Sequence, residues 1–291
     1  MTPALNVNVI GIYRSFWTVF GIFLLVSFVS GCAPFREVKA FAALSSEAAS
    51  YDELTRDYVA ALDRRKQYQP EKFHGELEAQ KMRREAQGAS LDLLQQTVTD
   101  YMQGLANLAS GNTHTYDKSL KELSTNLSRA TLLTSEEKEA VGAISTLLAR
   151  AVTAGYRLHE LRKLVRDANQ PLQHVIQAMR KIVEKGMIAD LQVEAVLLGR
   201  YYDNFMYAPG NPMEPVAMAL AREARTESLG RVNNRIMSAQ SYIAVLDKIA
   251  GGHQYLYEYR EKIGSNELDE QFKPYVADLR RAFRGLLDAS H

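Results

Sequence analysis

The spacing of apolar residues constrains the fold of this chain more than any other feature. They recur three or four positions apart, and from Leu229 through Val232 and Ile236 to Ala250 every step follows this rule. Such spacing places one side chain per turn on the same face of an α-helix. No segment shows convincing alternation of apolar and polar residues, the pattern of a half-buried strand. The sequence therefore predicts an all-α fold.

Helix start and stop signals divide the chain into six or seven long helices. Residues 35–68 lack Gly and Pro and are predicted as one uninterrupted helix. Pro70 opens a second helix, which Gly111 ends because glycine readily adopts the left-handed conformation of a helix stop. Thr134 and Glu137 have the spacing of a capping box at a helix start. Helices of about 35 residues would be about 50 Å long, so we expect an elongated bundle.

Other breaks are less sharp. Pro171 is expected to break or kink a helix, and Gly251 and Gly252 either end the helix that precedes them or lie within it. Pro274 implies that the regular part of the last helix starts near Lys273. The basic residues 64–66 are interpreted as a solvated helix face.

Residues 16–29 form an apolar run without charge, preceded by Arg14 and followed by Ser30 and Gly31. A positive residue, a short apolar core and small residues before a cleavage position are the parts of a secretory signal peptide. The run is shorter than the roughly 20 residues that a permanent membrane helix requires. We therefore expect residues 1–31 to be removed and residues 32–291 to form a single α-helical domain.

Residues 29–32, Val-Ser-Gly-Cys, resemble the lipobox of bacterial lipoproteins: an aliphatic residue, a small residue, Gly or Ala, and then Cys. The resemblance implies cleavage between Gly31 and Cys32, lipidation of the Cys32 thiol and acylation of its new amino group. Several acyl chains anchor a protein firmly in a membrane. Ala33, where an Asp would imply retention in the inner membrane, implies the outer membrane facing the periplasm. The alternative is an ordinary thiol after an uncleaved membrane helix.

Composition excludes several classes of site. Cys32 is the single cysteine, which rules out a disulfide framework, a cysteine-based zinc site and a haem attachment motif. The formal net charge of the whole chain is +1, so we expect no nucleic-acid partner. We expect no cofactor.

The histidines do not form a recognisable catalytic or metal-binding pattern. His74 completes the one Glu-x-x-His motif, whereas a di-iron bundle needs two. His159 lacks the second histidine four residues on that a zinc-protease helix requires. His174 is interpreted as structural. No nucleophile motif accompanies them, so we do not expect an enzyme.

Two aromatic segments, residues 201–207 and 255–259, are the remaining candidates for recognition. Tyrosine and phenylalanine at such density supply contact area with little loss of side-chain entropy. If the first segment is a docking surface, Tyr202, Phe205 and Tyr207 are the expected contact residues. Alternatively, these rings cap the end of the bundle beneath the proline-rich residues 207–215.

Taken together, these features favour a lipid-anchored, non-enzymatic envelope protein that acts as a helical scaffold or tether for an envelope partner. The alternative is a periplasmic lipoprotein that binds a small apolar ligand between its helices. A helix seam left exposed on the monomer would be an interface between copies.

Overall fold

The computed structural model describes residues 35–111, 123, 125–127, 130, 133–151, 157–208 and 214–290. The apolar run, Gly31 and Cys32 lie outside these residues. Numbered in chain order, the α-helices are α1 (Arg36–Ala49), α2 (Glu53–Lys66), α3 (His74–Ser110), α4 (Ser135–Ala151), α5 (Arg157–Lys181), α6 (Ala189–Met206), α7 (Pro215–Glu258) and α8 (Asn266–Ser290).

The predicted all-α fold is confirmed, and the described residues contain no strand. A π-helical segment, Ile182–Ile188, joins α5 to α6, so the chain is helical without interruption from Arg157 to Met206. Counted in this way, α1 to α8 of the described residues form seven helical runs. The longest helix, α7, has 44 residues and is therefore about 66 Å long.

The prediction of one helix over residues 35–68 is wrong, because the chain turns between α1 and α2. Two carbonyl groups at this turn accept hydrogen bonds from buried side chains. The Tyr242 hydroxyl donates to the Ala49 carbonyl over 3.0 Å, and the Gln95 amide donates to the Tyr51 carbonyl over 2.9 Å. These distant partners replace the helical bonds that the carbonyls would otherwise make. No local glycine or proline marks the break.

The two prolines expected to interrupt helices do not do so. Pro171 lies inside α5 and Pro274 lies inside α8, which begins at Asn266. A proline removes only one intrahelical hydrogen bond, and its cost is offset when the helix buries a continuous apolar face. Leu172 and Val175 after the first proline, and Phe272 and Val276 around the second, are all buried.

The predicted helix signals are otherwise confirmed. Gly111 follows α3 with φ of 75°, a left-handed conformation that glycine adopts without steric cost. The backbone N–H of Thr134 donates to the Glu137 carboxylate over 2.8 Å, and the N–H of Glu137 donates to the Thr134 hydroxyl over 3.2 Å. A further cap lies at the start of α8, where the Ser265 hydroxyl accepts from the N–H of Leu268.

Helix α7 lies against α1, α5, α6 and α8, while α3 packs on α1, α2, α4 and α5. From Phe35 onward the described residues form one compact unit with one large apolar core. The largest side chains that are fully buried in this core are Tyr101, Tyr242, Phe41 and Phe272. A smaller cluster of Leu191, Leu198 and Val232 joins α6 to α7 away from it.

Helix α7 continues through Gly251 and Gly252, which do not end it. The ring of Phe41 from α1 lies directly against the backbone of Gly252, where a Cβ atom would overlap it. A Cβ atom at Gly251 would meet no atom within 4 Å. Two adjacent glycines therefore have different roles, because only Gly252 is required for the close approach of two helices.

Among the described residues, no helix combines the length and the apolar character needed to cross a membrane.

Gly251 and Gly252 provide a matched test of the packing between α1 and α7. We expect Gly252→Ala to lower the free energy of unfolding by about 1–3 kcal/mol, since the added methyl group displaces the Phe41 ring. Gly251→Ala should instead raise it by up to about 1 kcal/mol, because alanine is the better helix former. Urea denaturation of both variants measures the difference. Equal effects of the two changes would contradict the close contact between α1 and α7.

Candidate functional site

The buried hydrogen-bond network around His253 is the first candidate, because it joins a histidine to side chains of three helices. The Tyr101 hydroxyl of α3 donates to Nε2 of His253 in α7 over 2.6 Å. The Nδ1–H of His253 donates to the Asn169 side-chain oxygen of α5 over 2.9 Å. The Asn169 amide in turn donates to Gln254 over 2.8 Å. These bonds assign the proton of the ring to Nδ1.

This network has no access to a substrate. Tyr101 and His253 are both fully buried. Burial lowers the pKa of His253 to about 3 and raises the pKa of the Tyr101 hydroxyl, so both groups stay neutral at ordinary pH. Neither is hydrogen-bonded to a carboxylate that would hold a charged imidazole. The arrangement therefore satisfies buried polar groups and joins three helices, rather than transferring protons.

His74, the histidine of the Glu-x-x-His motif, also has a structural role. Its Nε2 lies 3.2 Å from the Lys66 carbonyl and 3.1 Å from the Gln69 carbonyl, at the end of α2. One N–H can serve both carbonyls, which the helix end leaves without intrahelical partners. Within the part of the chain that the structure describes, no three His, Cys, Asp or Glu side chains are grouped as a metal ion would require.

In the aromatic segment 201–207, some side chains pack against the protein and others are exposed to solvent. Tyr202 is half-buried and packs on the small cluster between α6 and α7. Its ring centroid lies 5.3 Å from that of Tyr201, which is 6.0 Å from the ring of Tyr68. Phe205 and Tyr207, in contrast, are 58% and 63% exposed. The structure thus places one expected contact residue partly inside the protein and leaves the other two in solvent.

The second aromatic segment packs against α8 at the edge of the bundle, where Tyr259 and Tyr275 remain partly in solvent. The ring of Tyr255 lies 4.5 Å from those of Tyr259 and Tyr275 and 5.8 Å from that of Phe272, all measured between centroids. These contacts hold the end of α7 against α8. Burial, followed by the neighbouring Tyr259 and Tyr275, raises the pKa of Tyr255. This cluster is accounted for by packing alone.

A pocket of about 690 Å³ opens beside the exposed end of α6. It lies between that helix, the end of α2 and the turn that leads into α3. We call it the Arg65 pocket. Its lining includes Arg65, Tyr68, Gln69, Phe73, Arg200 and Tyr201. Its size is in the range that holds a small organic molecule, and it combines aromatic rings with two guanidinium groups.

An ion-pair network fixes α2 on α6 behind this pocket. Glu194 of α6 is fully buried and accepts from Nε of Arg64 over 3.1 Å. The Arg64 guanidinium also donates to Asp57 over 2.9 Å, and Asp57 is 3.1 Å from Nε of Arg235 in α7. Burial, followed by the charge of Glu194, raises the pKa of Tyr68. These ion pairs lie outside the pocket lining and hold together α2 and α6, two of the elements that form the pocket.

The sequence analysis does not identify Arg65 as a candidate site residue, because the basic run 64–66 is typical of a solvated helix face. That interpretation is wrong for Arg65, which is only 7% exposed. The spacing of buried residues in α2 indicates the burial of Arg65. Leu54, Tyr58 and Ala61 are buried, and Arg65 follows Ala61 by four positions. A residue at that spacing lies on the same helix face.

The buried imidazole predicts a specific pH dependence. Since the pKa of His253 is about 3 in the folded protein and near 6.5 unfolded, only the unfolded chain gains a proton between these values. Folding stability from this residue is present above about pH 6.5 and is lost as the pH falls, by about 1.4 kcal/mol per pH unit. Between pH 7 and 4.5, wild type should lose about 2–3 kcal/mol more than His253→Gln.

Urea denaturation at several pH values measures this difference. His159→Gln, a change at an exposed histidine, is the control and should keep the wild-type pH dependence. Parallel stability curves for wild type and His253→Gln would contradict the assignment of a neutral, buried ring.

Comparison with known proteins supplies no relative from which a role could be transferred. No protein-family model, no curated protein and no solved structure matches this chain. The chemistry of the residues described above is therefore the basis for assigning a function.

Proposed function

We propose that this protein is a lipid-anchored, non-enzymatic scaffold of the bacterial envelope, attached through Cys32 to the outer membrane and facing the periplasm. The anchor rests on residues 29–32, which match the lipobox at each position. The scaffold role rests on the exposed rings of Phe205 and Tyr207 beyond a filled helical core. Phe205 and Tyr207 lie two positions apart at the end of α6, and exposed aromatic side chains are common contact residues of protein-binding surfaces.

The exposure of Phe205 and Tyr207 is the observation that carries this proposal. Folding alone gives no reason to keep these rings in water, because burying one would be favourable by about 1.5–3 kcal/mol. Tyr202 belongs to the same segment and is half-buried against the small cluster between α6 and α7. An envelope protein that covers Phe205 and Tyr207 would gain this energy on binding.

The alternative function, binding of a small apolar ligand between helices, has less support. The residues between α1, α3, α5 and α7 are close-packed, with Tyr101, Tyr242 and Phe41 fully buried. Three clefts, of about 470, 690 and 840 Å³, open to solvent and are lined by charged as well as apolar side chains. An apolar ligand fits such clefts poorly.

The anchor predicts a covalent modification. Cells expressing the full-length chain with radiolabelled palmitate should yield a labelled protein in the membrane fraction, because Cys32 carries the acyl groups. Cys32→Ala should remove the label and leave the precursor uncleaved, while Ser27→Ala, outside the lipobox, should change neither. Equal labelling of the wild type and Cys32→Ala would contradict the lipoprotein proposal.

The docking surface predicts a partner that depends on two side chains. In-cell crosslinking of the full-length protein should capture a discrete envelope protein, and Cys32→Ala should reduce its yield because the tether is lost. The double variant Phe205→Ala/Tyr207→Ala should reduce the yield by at least about tenfold. Its unfolding midpoint should stay close to that of wild type, since both rings are exposed.

Met82→Ala is the matched control, because Met82 on α3 is also an exposed apolar residue, at 67%. This variant should capture the partner as wild type does. Undiminished capture by the double variant would exclude this surface as the docking site, and capture of nothing but further copies of the chain would contradict the tether role.

A further inference from the structure

Arg65 is a buried positive charge for which the described residues provide no counter-ion. Its Nε atom is buried and makes no hydrogen bond. Three other arginines, Arg162, Arg180 and Arg225, also have a buried Nε without a hydrogen bond, yet each has a carboxylate within 3.5 Å. Among these four arginines of the described chain, Arg65 alone has no ion-pair partner.

The neighbouring buried guanidinium does not relieve this charge. Arg84 of α3 is 4% exposed and is paired with Asp190, while it also donates to the Tyr58 carbonyl over 3.1 Å. Burial lowers the pKa of Arg84, Asp190 opposes this change, and the positive charge of Arg65 lowers it further. Two guanidinium groups therefore lie near each other, and the one carboxylate recorded beside them, Asp190, is paired with Arg84. An unpaired charge in such a place is unfavourable unless an anion binds to it.

The Arg65 pocket supplies the space for such an anion. Arg200 lines the same pocket, and the described residues contain no ion pair or hydrogen bond to its side chain. Glu76 is the one acidic residue of the lining, and its carboxylate accepts from the Gln80 amide over 3.2 Å. The lining thus carries two positive charges and one negative charge, which favours a single negative charge on the ligand.

We propose that the Arg65 pocket binds a carboxylate group carried on an apolar or aromatic body, with Arg65 and Arg200 holding the carboxylate. A guanidinium group can donate two parallel hydrogen bonds to a carboxylate. The body would lie against Tyr68, Phe73 and Tyr201, which line the same pocket. This inference goes beyond the scaffold role and depends neither on the lipid anchor nor on Phe205 and Tyr207.

A carboxylate of this kind has two sources, a free organic acid or the carboxyl terminus of a peptide. Both present the same charged group and differ in the body attached to it. A phosphate monoester, with nearly two negative charges, matches the charge of the lining less well.

Isothermal titration of the full-length chain in detergent tests the proposal with 3-phenylpropionate as the probe and 3-phenylpropanamide as its neutral match. The acid should bind at least about tenfold more tightly than the amide, because only the acid pairs with Arg65. A pentapeptide ending in phenylalanine, with a free or an amidated terminus, forms the second arm. Tighter binding of the free peptide than of 3-phenylpropionate indicates a peptide source, and the reverse indicates a free acid.

Two variants locate the binding, and a third controls for charge. Arg65→Met and Arg200→Gln should each weaken binding of the acid by at least about tenfold, whereas Arg281→Gln should not. The Arg281 side chain is 81% exposed on α8, outside the pocket lining. Arg65→Met should also keep or raise the unfolding midpoint of the unliganded protein, since it removes an unpaired buried charge.

Equal affinity for acid and amide, or no binding of either, would overturn the proposal. Tighter binding of phenyl phosphate than of 3-phenylpropionate would overturn the choice of a carboxylate. A large loss of stability in Arg65→Met would show that Arg65 has a partner within the protein, which would remove the reason for an external anion.

Discussion

The contact between the Phe41 ring and the backbone of Gly252 determines how closely α1 approaches α7, and much of the interior depends on that approach. The same Phe41 ring packs edge-on against Phe272 of α8, with 5.1 Å between centroids. Ten residues before Gly252, the Tyr242 hydroxyl donates to the carbonyl of Ala49 at the end of α1. Helix α1 is therefore held to α7 at two points, by packing and by a buried hydrogen bond. One turn of the chain, between α1 and α2, follows from the second of these contacts.

Tyr101, His253 and Asn169 inside the bundle are hydrogen-bonded to one another, so they are accounted for without a role at the surface. The bond between Tyr101 and His253 is buried, a part-buried bond links His253 to Asn169, and together they join α3, α5 and α7. Because the core is filled in this way, we propose that binding involves the end of α6 and the adjoining turn after α2. There the protein keeps aromatic rings in water and leaves the charge of Arg65 unpaired. Both are unfavourable for an isolated protein, and both are explained if this end of the molecule binds something.

The helices and their local signals were predictable, because they depend on residues close together in the chain. Apolar spacing identified the long helices, and Thr134 with Glu137 formed the expected capping box. The break after Ala49 was not predictable, since its cause lies in Tyr242, far along the chain. The expected break at Pro171 is absent for a related reason. The apolar face that α5 buries stabilises the helix by more than the one lost hydrogen bond costs. The charge of Arg65 predicts exposure, but its position four residues after the buried Ala61 places it on the inward face of the helix.

Hydrogen exchange of the intact chain tests most directly whether the molecule is a closed helical body with its recognition elements at one end. We expect the slowest exchange in residues 239–256 of α7 and 91–105 of α3, where the buried side chains concentrate. Residues 200–208, with Phe205 and Tyr207 in solvent, should exchange much faster. Exchange in the middle of α7 as fast as at the end of α6 would contradict a filled core and favour a bundle that opens between its helices.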